Sequence, residues 1–200
     1  KGNMTCNDFT GSPAYCTIQA ALNAANNGDT IQISGHTYTE SPQRAGIDVT
    51  LTGAGFGATV VQAASERALA TTRVFSFTGG VHVTITNMTI RFGNAPTGYG
   101  LVGGGGVYVD GDLTLDDTDL FSNTADDGAG AYVSGDAWVY GGSFTHNDGM
   151  PGCCSDGGGL YVGGKLTMAG TMLLRNSTYF EGGGAYVLGD ASIDSAVFQE

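Results

Sequence analysis

The chain has 200 residues, of which 41% are hydrophobic and 35 are glycine, and its formal net charge at pH 7 is −12. This length suits a single domain, and the regular spacing of the glycines among β-forming residues argues against disorder. The acidic balance excludes a nucleic-acid partner, which needs basic patches, and no apolar run reaches the roughly 18 residues of a transmembrane span.

Residues 1–16 are predicted to be an irregular N-terminal arm. Within it, Cys6 and Cys16 enclose a short loop and could pair with each other. The chain starts at Lys1, without a methionine. Such a start results from removal of a signal peptide or from an artificial boundary, and we expect that a signal peptide was removed. The sequence therefore predicts a secreted protein.

Residues 17–27 are predicted to form the one helix of the chain. Thr17 can cap its N-terminus, and Asn27-Gly28 can end it. The apolar residues that share one helical face are Ile18, Ala21, Leu22 and Ala25. Residues 30–103 then alternate short β-forming runs with glycine-rich turns, which predicts three irregular rungs of β-structure.

The last part of the chain, residues 104–200, repeats one glycine-rich phrase four times. The copies start at Gly104, Gly128, Gly157 and Gly182, which are 24, 29 and 25 residues apart. Such a period is typical of a solenoid, and short alternating runs such as Val107-Tyr-Val indicate strands rather than helices. Each copy is therefore predicted to be one rung of a parallel β-helix, with rungs about 4.8 Å apart.

Alignment of the copies without gaps places like residues in columns. The tyrosine column contains Tyr108, Tyr132, Tyr161 and Tyr186. The asparagine column contains Asn123, Asn147 and Asn176. The valine column contains Val109, Val133, Val162 and Val187. We expect the tyrosines to stack on an outer face and the valines to be buried. The asparagine side chains should form hydrogen bonds along the stack at a turn. Stabilisation of the rungs is the simplest role for these columns.

The negative charge lies in the repeats. Residues 1–100 carry five acids and five bases, whereas residues 101–200 carry fourteen acids and two bases. An acidic surface keeps an extracellular β-protein soluble and opposes pairing between exposed strand edges. It also argues against an acidic polysaccharide bound along the repeat faces.

Cysteines and glycosylation sequons favour an extracellular location. Cys153 and Cys154 are neighbours in the longest repeat, and a ring between adjacent cysteines is strained. We therefore expect at least one of them to bond outside its own rung, to Cys6, to Cys16 or to another subunit. The candidate glycosylation residues are Asn3, Asn87 and Asn176.

Two stretches resemble known families. The run from Thr17 to Tyr38 resembles the opening of the pectate-lyase-like right-handed β-helix superfamily, in which a short amphipathic helix caps the N-terminal end. The Gly-Gly-x-Tyr phrase and Phe144-Thr-His-Asn147 resemble the repeats of polymorphic outer-membrane adhesins. The resemblance implies one all-β domain over residues 1–200, a right-handed parallel β-helix with a capping helix, but no particular activity, because this fold hosts lyases, glycosidases, adhesins and fibres.

Few residues suggest chemistry. The candidate acids are Asp116, Asp117, Asp119 and the pair Asp126 and Asp127. Such acids could split their pKa values or hold calcium, although a turn is the more ordinary interpretation. Arg91 and Arg175 are the bases nearest to them, while His36, His82 and His146 are isolated. We predict no catalytic residue, no metal site and no cofactor beyond that calcium hypothesis.

We therefore expect a non-enzymatic structural or adhesive protein, a filament or surface-layer subunit that joins copies of itself head-to-tail, with surface glycans as further partners. The fourth copy stops within a rung, so either the chain was cut from a longer one or another molecule covers that end. The assembly candidates are Met4, Phe9, Tyr15 and Phe198. The alternatives are a polysaccharide lyase or glycoside hydrolase acting on acidic polysaccharide, and a passive binding module from a larger adhesin.

Overall fold

A computed structural model describes residues 15–95, 103–150 and 155–199. These ranges form stacked parallel β-strands, an all-β parallel solenoid, with an α-helix α1 (Ile18–Ala24) and a 3-10 helix (Arg67–Leu69). In chain order the strands are β1 (Asp29–Gln32), β2 (Thr37–Thr39), β3 (Gln43–Ala45), β4 (Val49–Thr52), β5 (Val60–Gln62), β6 (Phe75–Thr86), β7 (Thr89–Arg91), β8 (Val107–Asp116), β9 (Asp119–Phe121), β10 (Thr124–Ala125), β11 (Ala131–Val133), β12 (Ala137–Tyr140), β13 (Ser143–Thr145), β14 (Asp148–Gly149), β15 (Leu160–Val162), β16 (Leu166–Ala169), β17 (Met172–Leu174), β18 (Ala185–Val187), β19 (Ala191–Asp194) and β20 (Val197–Gln199).

Two sheets run from the first rung to the last. The first has the order β1-β4-β6-β8-β11-β15-β18, and β12, β16 and β19 continue from the second half of β8. The second has the order β2-β5-β7-β9-β13-β17-β20, with one strand in each rung. Strands pair in parallel and in register, so residues of the same repeat position lie directly above one another. The short β10 and β14 form a third pair.

The core consists of inward-facing columns that pass through both sheets. One column contains Leu120, Phe144 and Leu173, which are at most 1% exposed. The alternation of buried and half-buried residues along β4 and β16 shows why period-two sequences form these strands. Each buried Leu or Phe side chain contributes about 1.5–3 kcal/mol relative to exposure, so the columns supply most of the apolar stabilisation.

The glycines of the repeat phrase are required by the close approach of neighbouring rungs. A Cβ atom on Gly130 would lie 2.4 Å from the backbone oxygen of Gly159, and one on Gly159 would lie 2.4 Å from that of Gly184. No side chain fits at such distances from backbone. The same glycine position therefore recurs from rung to rung for a steric reason.

Helix α1 is shorter than the predicted range 17–27. Its start agrees with the prediction, because the Thr17 hydroxyl accepts a hydrogen bond from the backbone N–H of Ala20 at 3.0 Å. It ends at Ala24, since the backbone N–H of Asn26 donates instead to the Asp29 carboxylate at 2.7 Å. That side-chain acceptor draws the chain into a turn before Asn27-Gly28 is reached.

One member of the valine column is more exposed than predicted. Val109, Val133 and Val162 are fully buried, whereas Val187 is only half-buried. In the same rung Phe198 is 50% exposed, although its column partner Leu173 is buried. Strands β18–β20 have a neighbouring rung on one side only within the described residues, so their inward side chains keep one face in solvent.

Truncation of a column residue is expected to destabilise the solenoid. Phe144→Ala should lower the free energy of unfolding by about 3–5 kcal/mol, because it removes a fully buried ring and leaves a cavity. Urea unfolding followed by circular dichroism measures the loss. The matched control Phe56→Ala, at a ring that is 70% exposed, should change stability by about 0.5 kcal/mol or less. Equal losses in the two variants would contradict the proposed core.

Candidate interaction site

The tyrosine column forms a continuous ring stack on the outer side of the first sheet. Ring centroids of Tyr108 and Tyr132 lie 5.4 Å apart, those of Tyr132 and Tyr161 4.7 Å, and those of Tyr161 and Tyr186 5.5 Å. The interplanar angles are 7°, 7° and 25°, so the rings are nearly parallel. Each such pair contributes roughly 0.5–1.5 kcal/mol beyond its buried area. Within the stack the ring faces cover one another, so edges and hydroxyl groups point outward.

A column of carboxylates runs beside the tyrosines. Asp127 Oδ1 accepts a hydrogen bond from the backbone N–H of Asp156 at 2.9 Å, and Asp156 Oδ1 accepts one from the N–H of Glu181 at 3.1 Å. Each carboxylate thus uses one oxygen to bind the next rung. The backbone fixes the position of the negative charges, and Gly103 occupies the same column position in the preceding rung, where it bridges Asp127.

These residues define the acid–tyrosine face: Tyr108, Tyr132, Tyr161, Tyr186, Asp110, Asp127, Asp156 and Glu181. Burial raises the pKa of Tyr132 and of Tyr161, and the negative charge of Asp127 raises both further. Burial also raises the pKa of Asp127, and the charges of Asp156 and Asp126 add to the rise although a backbone hydrogen bond opposes it. The face therefore concentrates negative charge around partly desolvated hydroxyl groups.

One end of the tyrosine stack carries a guanidinium group. The Cζ atom of Arg73 lies 4.8 Å from the ring centroid of Tyr108, which is a cation–π distance. Its Nε–H also donates to the backbone oxygen of Gly103 at 3.0 Å. Burial lowers the pKa of Arg73 and the Tyr108 hydroxyl opposes that change. Tyr108 is only 8% exposed as a result, in contrast to its half-buried partners.

The asparagine column is a buried amide ladder at the turn after the second sheet. Asn147 Oδ1 accepts hydrogen bonds from the backbone N–H and the side-chain amide of Asn123, at 3.1 and 3.0 Å. Asn147 Nδ2 donates to Asn176 Oδ1 at 3.0 Å and to the backbone oxygen of Leu120 at 2.9 Å. The residue before each asparagine has a positive φ, for example 54° at His146, which lets the chain turn and aim the amide inward.

The ladder bears on the predicted glycosylation residues. Asn176 is 8% exposed and its amide nitrogen donates to the backbone oxygen of Phe144 at 2.8 Å, so a glycan on this nitrogen conflicts with the fold. Asn87 lies half-buried in a turn with a φ of 57°, and Asn3 lies outside the described residues. Glycosylation of Asn87 and Asn3 stays a prediction.

The cysteines are described only in part. Cys16 is disulfide-bonded. Cys6, Cys153 and Cys154 lie outside the described residues, as do Met4 and Phe9 of the predicted assembly set. The pairing of the cysteines therefore stays a prediction. Of the other two assembly candidates, Tyr15 is half-buried and Phe198 is half-exposed.

The candidate acids are not gathered into a metal site. Among residues 15–95, 103–150 and 155–199, no three His, Cys, Asp or Glu side chains are placed to hold a metal ion together. Asp116 and Asp117 are exposed at a turn where Asp117 has a φ of 43°, and Asp119 accepts a hydrogen bond from Ser143. The calcium hypothesis, at this group or at Asp126 and Asp127, gains no support from these positions.

Arg91 and Arg175 lie on the outer side of the second sheet. Arg91 Nε donates to Gln62 Oε1 at 2.9 Å, and its guanidinium stacks over Phe92 at 4.8 Å. Arg175 is exposed at a turn with a φ of 51°. Among the described residues, Arg67 forms an ion pair with Asp148, and its Nη1 atom lies 2.5 Å from Asp148 Oδ2. The arrangement that a lyase would need, an arginine facing paired aspartates, is not formed by these contacts.

The three histidines also occupy separate positions. His36 packs edge-on against Tyr38, and His82 stacks on Trp138 with ring centroids 5.6 Å apart. His146 packs edge-on against Phe121, and its Nδ1 is buried without a hydrogen-bond partner among the described residues. Each histidine therefore serves as a packing group in the described chain.

Sequence reasoning missed the carboxylate column and the contact of Arg73. The first had a detectable signal: Asp127, Asp156 and Glu181 each stand directly before the first glycine of a repeat copy. The second had none, since Arg73 lies 35 positions before Tyr108 in a rung without the repeat phrase.

No helix in the part of the chain that the structure describes is long and apolar enough to cross a membrane. Comparisons of the chain with family models, with curated proteins and with solved structures found no match.

Loss of the middle rung of the amide ladder is expected to be costly. Asn147→Ala removes four hydrogen bonds and leaves the buried backbone N–H of Asn123 without its acceptor, so stability should fall by about 3 kcal/mol or more. Urea unfolding measures the loss. The control Ser177→Ala removes one exposed hydrogen bond to Asp148 and should cost about 0.5 kcal/mol or less. A loss below about 1 kcal/mol for Asn147→Ala would contradict the ladder.

Alkaline pH is expected to destabilise the fold through the tyrosines. Burial raises the pKa of Tyr38, Tyr108, Tyr132 and Tyr161 above the ordinary value, so the folded chain binds more protons than the unfolded chain as the pH passes about 10. Stability must then fall as the pH rises through that value. Tyrosinate absorbance and urea midpoints measure both effects. Tyr132→Phe keeps the ring and removes the titrating hydroxyl, so it should reduce the slope.

Proposed function

We propose that this chain is a non-enzymatic, extracellular structural or adhesive β-solenoid that joins copies of itself through its C-terminal rung. The observation that carries the proposal is the apolar surface of β18–β20. Ile193 and Phe198 are 46% and 50% exposed, whereas their aligned predecessors Met168 and Leu173 are each 1% exposed. Within the described residues, β18–β20 have a neighbouring rung on one side only, and an exposed strand edge of this kind favours addition of another strand.

The opposite end favours a head-to-tail contact. Ile18 and Leu22 of α1 are 3% and 0% exposed and belong to the main core cluster, which supports a role of this helix as a cap. A capped end does not stack directly on an open end. The segment before Cys16, with Met4 and Phe9, is therefore proposed to dock on β18–β20 of the next copy. Such a contact does not close on itself, so it produces a filament or a surface layer.

The finer description of the fold belongs to the same proposal. Parallel strands joined by a crossover are right-handed in about 98% of cases, which supports a right-handed solenoid. The repeat phrases and this arrangement together support kinship with the pectate-lyase-like β-helices and the polymorphic adhesins. Surface glycans are further proposed ligands of an adhesive role.

The experiment is a concentration series of the full chain by sedimentation velocity and negative-stain electron microscopy. We expect elongated oligomers that grow with concentration. Phe198→Asp should weaken association at least tenfold, because it places a charge on the apolar surface of the last rung. Phe56→Asp is the control, at an exposed phenylalanine outside the rung, and should assemble like the unaltered chain.

A second variant separates the two ways of joining. Met4→Asp/Phe9→Asp keeps Cys6 and Cys16 in place and should abolish assembly if the arm docks; retained assembly would indicate direct stacking of rungs instead. A chain that stays monomeric at every concentration, or a Phe198→Asp chain that assembles normally, would overturn the proposal. Calcium-dependent cleavage of polyuronates would favour the lyase alternative.

A further inference from the structure

We propose that the tyrosine column is an oxidative modification site, at which a diffusible one-electron oxidant joins Tyr132 to Tyr161 through a carbon–carbon bond. The product is a dityrosine, which ties two successive rungs together covalently. The reaction is independent of association through the C-terminal rung, because both tyrosines belong to one copy of the chain.

The two rings are held in the arrangement that the reaction needs. Their centroids lie 4.7 Å apart with an interplanar angle of 7°, which is the shortest separation in the column. Strands β11 and β15 pair in register with Tyr132 opposite Tyr161, so each carbon of one ring lies beside the same carbon of the other. Groups held together in this way react far more readily than separate groups, because the entropy of bringing them together is lost on folding.

The bond forms between carbons that are ortho to the two hydroxyl groups. Each phenol gives one electron to the oxidant and its hydroxyl proton to water, which leaves a phenoxyl radical with part of its unpaired spin on the ortho carbons. Two such carbons couple across the facing rings, and their hydrogens then move to the oxygens through water. The net change is the loss of two electrons and two protons from the pair, so two equivalents of the oxidant are reduced.

Neighbouring charges favour this pair over the end of the column. The guanidinium of Arg73 lies 4.8 Å from the ring centroid of Tyr108, and its positive charge opposes removal of an electron from that ring. Asp127 acts in the opposite direction in the middle of the column. Burial raises the pKa of both Tyr132 and Tyr161, and the negative charge of Asp127 adds to the rise. A carboxylate that acts on both phenols also stabilises the positive charge that forms when an electron leaves.

Two exposed tyrosines provide a comparison within the same chain. Tyr140 is 40% exposed and Tyr179 is 63% exposed. Among the described residues, neither stacks on another aromatic ring. If exposure alone decided the site of cross-linking, these two would dominate the products. The geometry of the column predicts the opposite for cross-links within one chain.

The test treats the full chain with tris(bipyridine)ruthenium(III), generated by light with persulfate as the final electron acceptor, at a series of low protein concentrations. We expect dityrosine fluorescence in the monomer band of a denaturing gel, with a yield per chain that does not depend on protein concentration. Peptide mass spectrometry should find the Tyr132–Tyr161 pair at least about tenfold more often than any pair that includes Tyr140 or Tyr179. The same treatment in concentrated urea should remove this preference, because unfolding separates the rungs.

Two variants complete the test. Tyr132→Phe keeps a ring in the column but removes a phenol, so the dityrosine yield of the monomer should fall severalfold, since the remaining pair Tyr161 and Tyr186 is 5.5 Å apart and tilted by 25°. The control Tyr140→Phe removes an exposed phenol outside the column and should leave the yield unchanged. Circular dichroism checks the fold of both variants, and the peptide map of the unaltered chain decides the question if a variant folds poorly.

Three results would overturn the proposal. The first is the absence of dityrosine from the monomer. The second is a set of cross-links distributed according to the exposure of the tyrosines. The third is an equal loss of yield in the two folded variants.

Discussion

In-register stacking of parallel rungs is the constraint on which the whole structure depends. Each repeat position lies above its counterpart, so a residue that suits one rung meets a like residue in the next. Apolar residues then form continuous core columns, and asparagine amides form a buried ladder. The same translation brings tyrosine rings to stacking distance. None of these features needs a separate explanation once the register is given.

Stacking has a cost wherever like charges share a column. Asp127 and Asp156 lie on adjacent rungs about 4.8 Å apart, the ordinary separation of neighbouring strands. The structure offsets this repulsion by directing a backbone N–H of each next rung at the carboxylate. The hydrogen bond fixes the side chain, and the rise in the pKa of Asp127 reflects the burial and repulsion that remain.

The two outer sheet faces carry different side chains. The first sheet carries ordered tyrosines and carboxylates, whereas the second carries Arg91, Phe92, Phe121 and His146 in contact with one another or with neighbouring polar groups. In the described residues, neither face brings an arginine together with paired aspartates, and no side-chain cluster is placed to hold a metal.

The sequence by itself determined the stacked parallel β-architecture, because a repeat of 24 to 29 residues with alternating apolar positions leaves few ways to bury those positions. It also determined which tyrosines and asparagines align. Only the tertiary structure decided the end of α1, where the Asp29 carboxylate competes for a backbone N–H. It also decided the partial exposure of Val187, since the described residues place a neighbouring rung on one side of β18 only. The contact of Arg73 with Tyr108 was likewise decided by the tertiary structure alone. Arg73 lies in a rung without the repeat phrase, so its contact leaves no periodic signal in the sequence and depends on how the rungs stack.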